Sequence, residues 1–331
     1  MNDAAQAIAL SLISHTNAGK TTLARTLLGR DVGEVRDAPH VTREATPYPL
    51  LDTPAGDALL LWDTPGFGDS LRLARRLRQQ SNPIGWFLAQ VWDRFRDRPF
   101  YLSQLAVRTV RDDTDVVLYL VNASEAPADA GYLAPELEVL AWIGRPVVVL
   151  LNQTGKPRPR ADEAIDEGRW RTALAAYPFV REVLALDAFA RCWVQERVLL
   201  ETLAAVVGTD QRAACERLLA AWQARRDRQF EQAMAALAAP IAHAAGDVEK
   251  LPETRLRDSL QAALRSLAAG RPENALGERA ARALAERLDA RLRESTDRLI
   301  AIHDLTGHAA DAVRQRLVEH VRLHSPLPQR L

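Results

Sequence analysis

The chain is expected to fold as an α/β domain with a mostly parallel sheet, followed by an all-α C-terminal helical domain. Short β-rich runs alternate with helical patterns up to about residue 207, the order that a parallel sheet with helices on both faces requires. An apolar run from Ile8 to Ile13 ends in Ser14-His15-Thr16-Asn17-Ala18-Gly19-Lys20-Thr21-Thr22, and a helix-patterned run follows at once. From about Thr209 the strand signals stop and long Ala/Leu/Arg/Glu stretches take over. The expected domains are therefore 1–207 and 208–331.

Taken in order, the first strand candidate is Ile8–Ser14, with the composition of a buried strand. Ser14 to Thr22 reads as a phosphate-binding loop, in which backbone N–H groups and Lys20 surround the β- and γ-phosphates and the Thr21 hydroxyl reaches Mg2+. Leu23, Leu27 and Leu28 are spaced for the inner face of the helix that follows. Lysine is rare here: only Lys20, Lys156 and Lys250 occur, so a compact ammonium at position 20 is a specific choice. Ser14 stands where the usual loop has glycine, a small residue with less backbone freedom.

Further strands are expected at Thr46–Leu51, Ala58–Trp62, Asp115–Asn122, Pro146–Asn152 and Phe179–Leu186. Ala58–Trp62 runs directly into Asp63-Thr64-Pro65-Gly66. A carboxylate at a strand end can hold the Mg2+ shell through water, and the Gly66 N–H can meet the γ-phosphate. Ile84, Phe87, Leu88, Val91, Trp92 and Phe95 make one helix face strongly apolar, suited to packing or to an effector surface. Arg72, Arg75, Arg76 and Arg78 follow Gly66 on another helix, either as a solvated basic face or with one arginine reaching a phosphate.

Composition narrows the classes further. Lys plus Arg equals Asp plus Glu at 43 each, which gives no general support for nucleic-acid or polybasic membrane binding. Cys192 and Cys215 have neither metal nor disulfide spacing, which fits a reducing, cytoplasmic location. No signal peptide or membrane span is expected, and peripheral membrane association and self-association stay open. His320 and His324 are four apart, but no acidic residue completes a zinc pattern.

With Pro39-His40-Val41-Thr42-Arg43-Glu44 added between the two phosphate motifs, residues Ala7 to Val207 resemble TRAFAC-class small GTPases of the Era/TrmE-like branch. The resemblance implies a Ras-like G domain that binds GTP and GDP as substrate and product. It implies that Thr42 closes on Mg2+ and the γ-phosphate, so that Thr21, Thr42 and Asp63 hold the metal. Lys20, Thr42, Gly66 and Asn17 are the implied catalytic set, with Asn17 placed to contact a potassium ion or simply to support the loop turn. Phe67 stands where Ras-like enzymes carry the glutamine that orients water, so slow intrinsic turnover is expected.

The base-recognition motif departs from the family. Asn152-Gln153-Thr154-Gly155 stands where guanine-specific members have Asn-Lys-x-Asp, so the carboxylate for guanine N1 and N2 is replaced by Gly155 and the stacking lysine by Gln153. Asp187, followed by Ala188, lies where the last guanine motif falls and could supply a carboxylate or merely start a helix. The whole chain is similar to bacterial GTPases with a C-terminal DUF3482 region. An unknown protein effector would read the Ile84–Phe95 helix or the helical tail. From Thr209 onward 20 basic and 17 acidic residues, with no RNA module, argue against nucleic acid. The readings carried forward are a switch GTPase, a nucleotide-dependent scaffold with negligible turnover, and an NTPase of relaxed base specificity.

Overall fold

The computed structural model describes residues 4–15, 18–29, 46–64, 67, 69–79, 98–155, 158–188, 192–249, 275–305, 307 and 310–316. The chain divides into two compact units, Met1–Gln223 and Ala224–Leu331.

The first unit is built on a six-stranded sheet: β1 (Ala7–Ser14), β2 (Thr46–Asp52), β3 (Ala58–Asp63), β4 (Val116–Asn122), β5 (Val147–Asn152) and β6 (Val180–Ala185), in the order β2-β3-β1-β4-β5-β6. Every pairing is parallel except β2 with β3. The turn between those two runs only from Thr53 to Asp57, and a parallel return needs a crossover of a dozen or more residues. The six strands expected from the sequence are all present, within a residue of their expected ends.

The helices of this unit are α1 (Lys20–Leu28), α2 (Ser70–Gln79), α3 (Arg98–Asp113), α4 (Leu133–Ile143), α5 (Arg160–Leu174) and α6 (Trp193–Val206), with the start of α7 (Arg212–Ala245). Burial on both faces explains why the central strands read as unbroken apolar runs. Val116, Leu118, Leu120, Val148 and Leu150 face α1, α6 and the first turns of α7. Val117, Tyr119, Val121, Val147, Val149 and Leu151 face α2, α3, α4 and α5. Ala214, Cys215, Leu218 and Trp222 of α7 belong to the first of these layers. Burial pushes the Cys215 thiol up to about 12, an inert core sulfur.

In the second unit α7 runs on and pairs with α8 (Ala275–Ile302). Gln229 Nε2 donates to the Ile302 carbonyl at 2.6 Å and Ser295 Oγ to the Ala236 carbonyl at 2.7 Å. Asp247 takes Arg287 at 3.0 Å and Arg291 at 2.9 Å. As one helix number rises the other falls, so the two run antiparallel. Phe230, Met234, Leu237 and Ile241 are exposed along α7. No helix among the described residues is long and apolar enough to cross a membrane. The apolar stretch Ile84–Phe95, and the parts of the Ala/Leu/Arg/Glu-rich tail at residues 250–274 and beyond 316, lie outside the described residues.

Candidate nucleotide site

The carboxyl ends of β1, β3, β4 and β5 converge where the connections turn to opposite sides of β1, the crevice in which such sheets hold ligands. Ser14 closes β1 and is fully buried. Its hydroxyl donates to the His15 carbonyl at 2.5 Å and accepts from Lys20 Nζ at 3.1 Å. The residue that departs from the usual glycine therefore steadies the lysine. Gly19 precedes α1 at φ 88, and the first turn of that helix carries no acidic side chain, which leaves its positive end suited to an anion. Thr22 lies in the same turn. Burial pulls the Lys20 ammonium below its usual value, against the pull of the Asp63 and Glu136 carboxylates. An anion beside it would offset that desolvation.

Thr21 Oγ1 donates to Asp63 Oδ2 at 2.9 Å. Asp63 is buried at the end of β3, held there by Thr64, whose Oγ1 donates to the Leu12 carbonyl at 2.7 Å. A hydroxyl and a carboxylate are hard oxygen donors, the chemistry that suits Mg2+ with waters and phosphate oxygens completing its shell. No cluster of three or more His, Cys, Asp or Glu suited to a metal occurs among the described residues. Phe67 is fully buried in the layer that holds Ile13, Leu73 and Phe100. Of the arginines after it, Arg72 and Arg76 lie over the Phe100 ring at 3.9 and 5.2 Å, Arg78 pairs with Glu138, and Arg75 is exposed.

Glu136 was not singled out by the sequence. It is fully buried on α4, accepts from Tyr119 Oη at 2.7 Å, and meets His15 Nδ1 at 2.8 Å. The His15 ring stacks on Tyr132 with centroids 4.4 Å apart. This bracket fastens the start of the loop to α4 and β4. The available signal was a lone glutamate among Leu133, Leu137 and Leu140, on the face that the helix buries. Burial first, then Glu136, raises the Tyr119 hydroxyl well above its ordinary value, which keeps it a donor.

At the other end of the site, Asn152 is fully buried and joins three segments. Its Nδ2 donates to the Ala18 carbonyl at 2.8 Å, and its Oδ1 accepts from the Ala188 N–H at 2.8 Å. The Ala188 carbonyl in turn accepts from Thr26 of α1. Asp187 Oδ2 accepts from Thr154 Oγ1 at 3.0 Å. A Cβ on Gly19 would meet Asn152 Nδ2 at 2.7 Å and Gln153 Nε2 at 4.0 Å. Gly19→Ala is therefore expected to cost about 1–3 kcal/mol, through left-handed backbone strain and a displaced Asn152. Urea denaturation checks this. Titration with a fluorescent nucleotide should show weakened binding as well.

Of the residues expected from sequence, Ser14, His15, Ala18, Gly19, Lys20, Thr21, Thr22, Asp63, Asn152, Gln153, Asp187 and Ala188 are described, and the contacts above bring the loop, β3 and base-motif groups together. Thr16, Asn17, Thr42 and Gly66 lie outside the described residues, as do His320 and His324.

The sheet order and the loop between β1 and α1 are those of a Ras-like, P-loop fold. Residues 10–153 match the family model described as 50S ribosome-binding GTPase, and the match stops short of the helical region. Among curated proteins the chain is similar to GTPase Era of Heliobacterium modesticaldum, at 26% identity over 144 residues, 44% of this chain and 38% of that one. It is also similar to GTPase Era of Geotalea uraniireducens, at 28% over 189 residues, 57% and 52% of the two chains. The chain thus spans about half the length of these relatives or less. Solved structures that resemble it include Aquifex aeolicus Era bound to GDP.AlF4- (TM-score 0.45, 18% identity, 61% of this chain and 57% of that one). Another is Era in complex with MgGDPNP and a segment of 16S ribosomal RNA (TM-score 0.45, 18% identity, 62% and 58%).

Proposed function

We propose that this chain is a Mg2+-dependent, cytoplasmic GTPase that hydrolyses GTP to GDP and phosphate and acts as a molecular switch. The observation that carries the reading is the hydrogen bond from Thr21 to the buried Asp63 carboxylate, with Lys20 on the same helix turn. Lys20 and the loop amides neutralise phosphate charge, and Thr21, Thr42 and Asp63 hold the metal. Magnesium, when bound, adds positive charge at the β- and γ-phosphate oxygens. The Gly66 N–H would meet a phosphate oxygen, and Asn17 would hold a potassium ion, which would supply further positive charge. The protein forms no covalent intermediate; its contribution is preorganised charge.

Phe67 offers no hydrogen bond and its side chain is buried in the core, so water must be oriented by other groups and the intrinsic rate is slow. Helical residues 208–331, similar to the DUF3482 region, or the helix after Asp63-Thr64-Pro65-Gly66 pass the nucleotide state to a protein partner. In multiple-turnover phosphate release, the rate is expected to be about tenfold higher in potassium than in sodium. The buried Phe67 also favours a second reading, a scaffold that binds nucleotide without turning it over. Bound nucleotide with no release in either salt would establish the scaffold and reject the enzyme.

A further inference from the structure

We propose that the exposed side of α7 is a self-pairing surface, on which a second copy of this chain docks antiparallel about a two-fold axis. The pairing does not depend on the nucleotide site. Phe230, Met234, Leu237 and Ile241 are 55%, 42%, 45% and 71% exposed. Their spacing of four, three and four residues is that of the seam between two packed helices. The side of α7 toward α8 is a different one. It buries Ala233, Ala236 and Pro240 and carries the bond from Ser295 to the Ala236 carbonyl.

The residue types agree with the spacing. From Gln232 to Gly246 the chain has no Asp, Glu, Lys or Arg, although charged residues make up 26% of the whole. A helix that meets water on one side normally carries charge there. Ala235, Ala238 and Ala242 are exposed beside the stripe, and their small side chains let a second helix approach closely.

Symmetry, reach and area select a second copy as the occupant. The pair Phe230 and Ile241 and the pair Met234 and Leu237 share one midpoint, between Ala235 and Ala236. An antiparallel two-fold there sets Phe230 against Ile241 of the second copy and Met234 against its Leu237, a self-complementary fit. Residues 250–274 leave α7 beside Arg287, which takes Glu249 at 2.8 Å, and rejoin at Ala275, earlier on the antiparallel α8. Both points lie past the Ile241 end of the stripe, so reaching Phe230 would mean running its length twice, about 16 Å each way. Covering the four side chains and the alanines in both copies removes about 1,000 Å² from water. That is the low end for a specific pair and suits assembly at about micromolar concentration.

The test is sedimentation velocity of the full chain from about 1 to about 100 µM, a range in which wild type is expected to pass from monomer to dimer. Met234→Lys and Leu237→Glu are each expected to weaken the dimer about 30-fold or more, because each puts an unpaired charge in the seam. Both positions are exposed in a single copy, so the thermal midpoint at about 1 µM should not change. M234K and L237E combined should dimerise more tightly than either alone, since each new ammonium then meets a new carboxylate across the axis. A parallel pairing would set like charges together and gain nothing. A wild type that stays monomeric at about 100 µM overturns the proposal, whether or not it floats with phosphatidylcholine–phosphatidylglycerol vesicles. So does a single variant that dimerises like wild type, a combined variant that gains nothing, or a midpoint that falls, which would mean that the chain covers the stripe itself. The wild-type series decides the matter even where a variant does not fold.

Discussion

Lys20→Ala is expected to weaken nucleoside triphosphate binding by about 10- to 100-fold, measured by titration calorimetry. The ammonium sits one residue after the left-handed Gly19, is drawn to Ser14 Oγ at 3.1 Å, and is desolvated where an anion would restore its charge balance. A charge-assisted hydrogen bond contributes about 1.5–3 kcal/mol, and each 1.4 kcal/mol is a factor of ten. Lys20→Arg is expected to fail as well, because a planar fork cannot take the place of a compact ammonium between Ser14 and the phosphates. Circular dichroism should show the same helix content in all three proteins. Unchanged triphosphate affinity in the alanine variant would remove the basis for both the enzyme and the scaffold readings.

Arg217→Ala is expected to destabilise the first unit by about 3–5 kcal/mol, read from the urea midpoint at pH 7. Asp57 is fully buried, and Arg217 grips it with both Nε and a terminal nitrogen at 2.7 Å. The Gln6 N–H at 3.1 Å and Thr53 Oγ1 at 3.0 Å complete its shell. Removing the guanidinium leaves a buried charge without its counter-ion, which costs far more than a surface pair returns. The Arg217 hydrogen bonds hold the Asp57 carboxyl well below its ordinary value, against the opposing effect of burial. A depressed carboxylate stabilises the fold above its unfolded pKa of about 3.9 and loses that contribution as pH falls through the folded value. The gap between wild type and R217A is therefore expected to be widest near neutrality and to narrow below about pH 4. A gap that widened in acid would show that Arg217 acts through something other than this pair. The contact joins the β2–β3 turn, which lies in sequence between Thr42 and Asp63, to the helix that continues into the second unit.

The strands were legible because a sheet covered on both faces leaves continuous apolar runs such as Val147 to Leu151. The phosphate end was legible because its residues are contiguous. Thr21 and Asp63, though 42 apart, follow from motif order, one opening the helix after β1 and the other closing β3. Other features depend on pairings that no local pattern encodes. An amphipathic helix announces that one face is buried without naming its partner, so the seating of Leu218 and Trp222 in the sheet's core could not be read. Nothing near Glu136 in sequence names its partners, Tyr119 and His15, which take both its oxygens. The proximity of Thr154 and Asp187 follows from the register of β5 with β6, which a single sequence does not contain.

One consequence concerns the sheet's outer margin. Pro47 and Pro49 sit two apart in β2, whose single strand neighbour among the described residues is β3. Residues two apart aim their amides the same way, so proline removes two successive donors from one flank, the one turned away from β3. That border offers carbonyl oxygens but lacks the alternating donors an incoming strand would need. It is poorly suited to templating fibrils or swapped sheets at the very place where an open edge is most vulnerable.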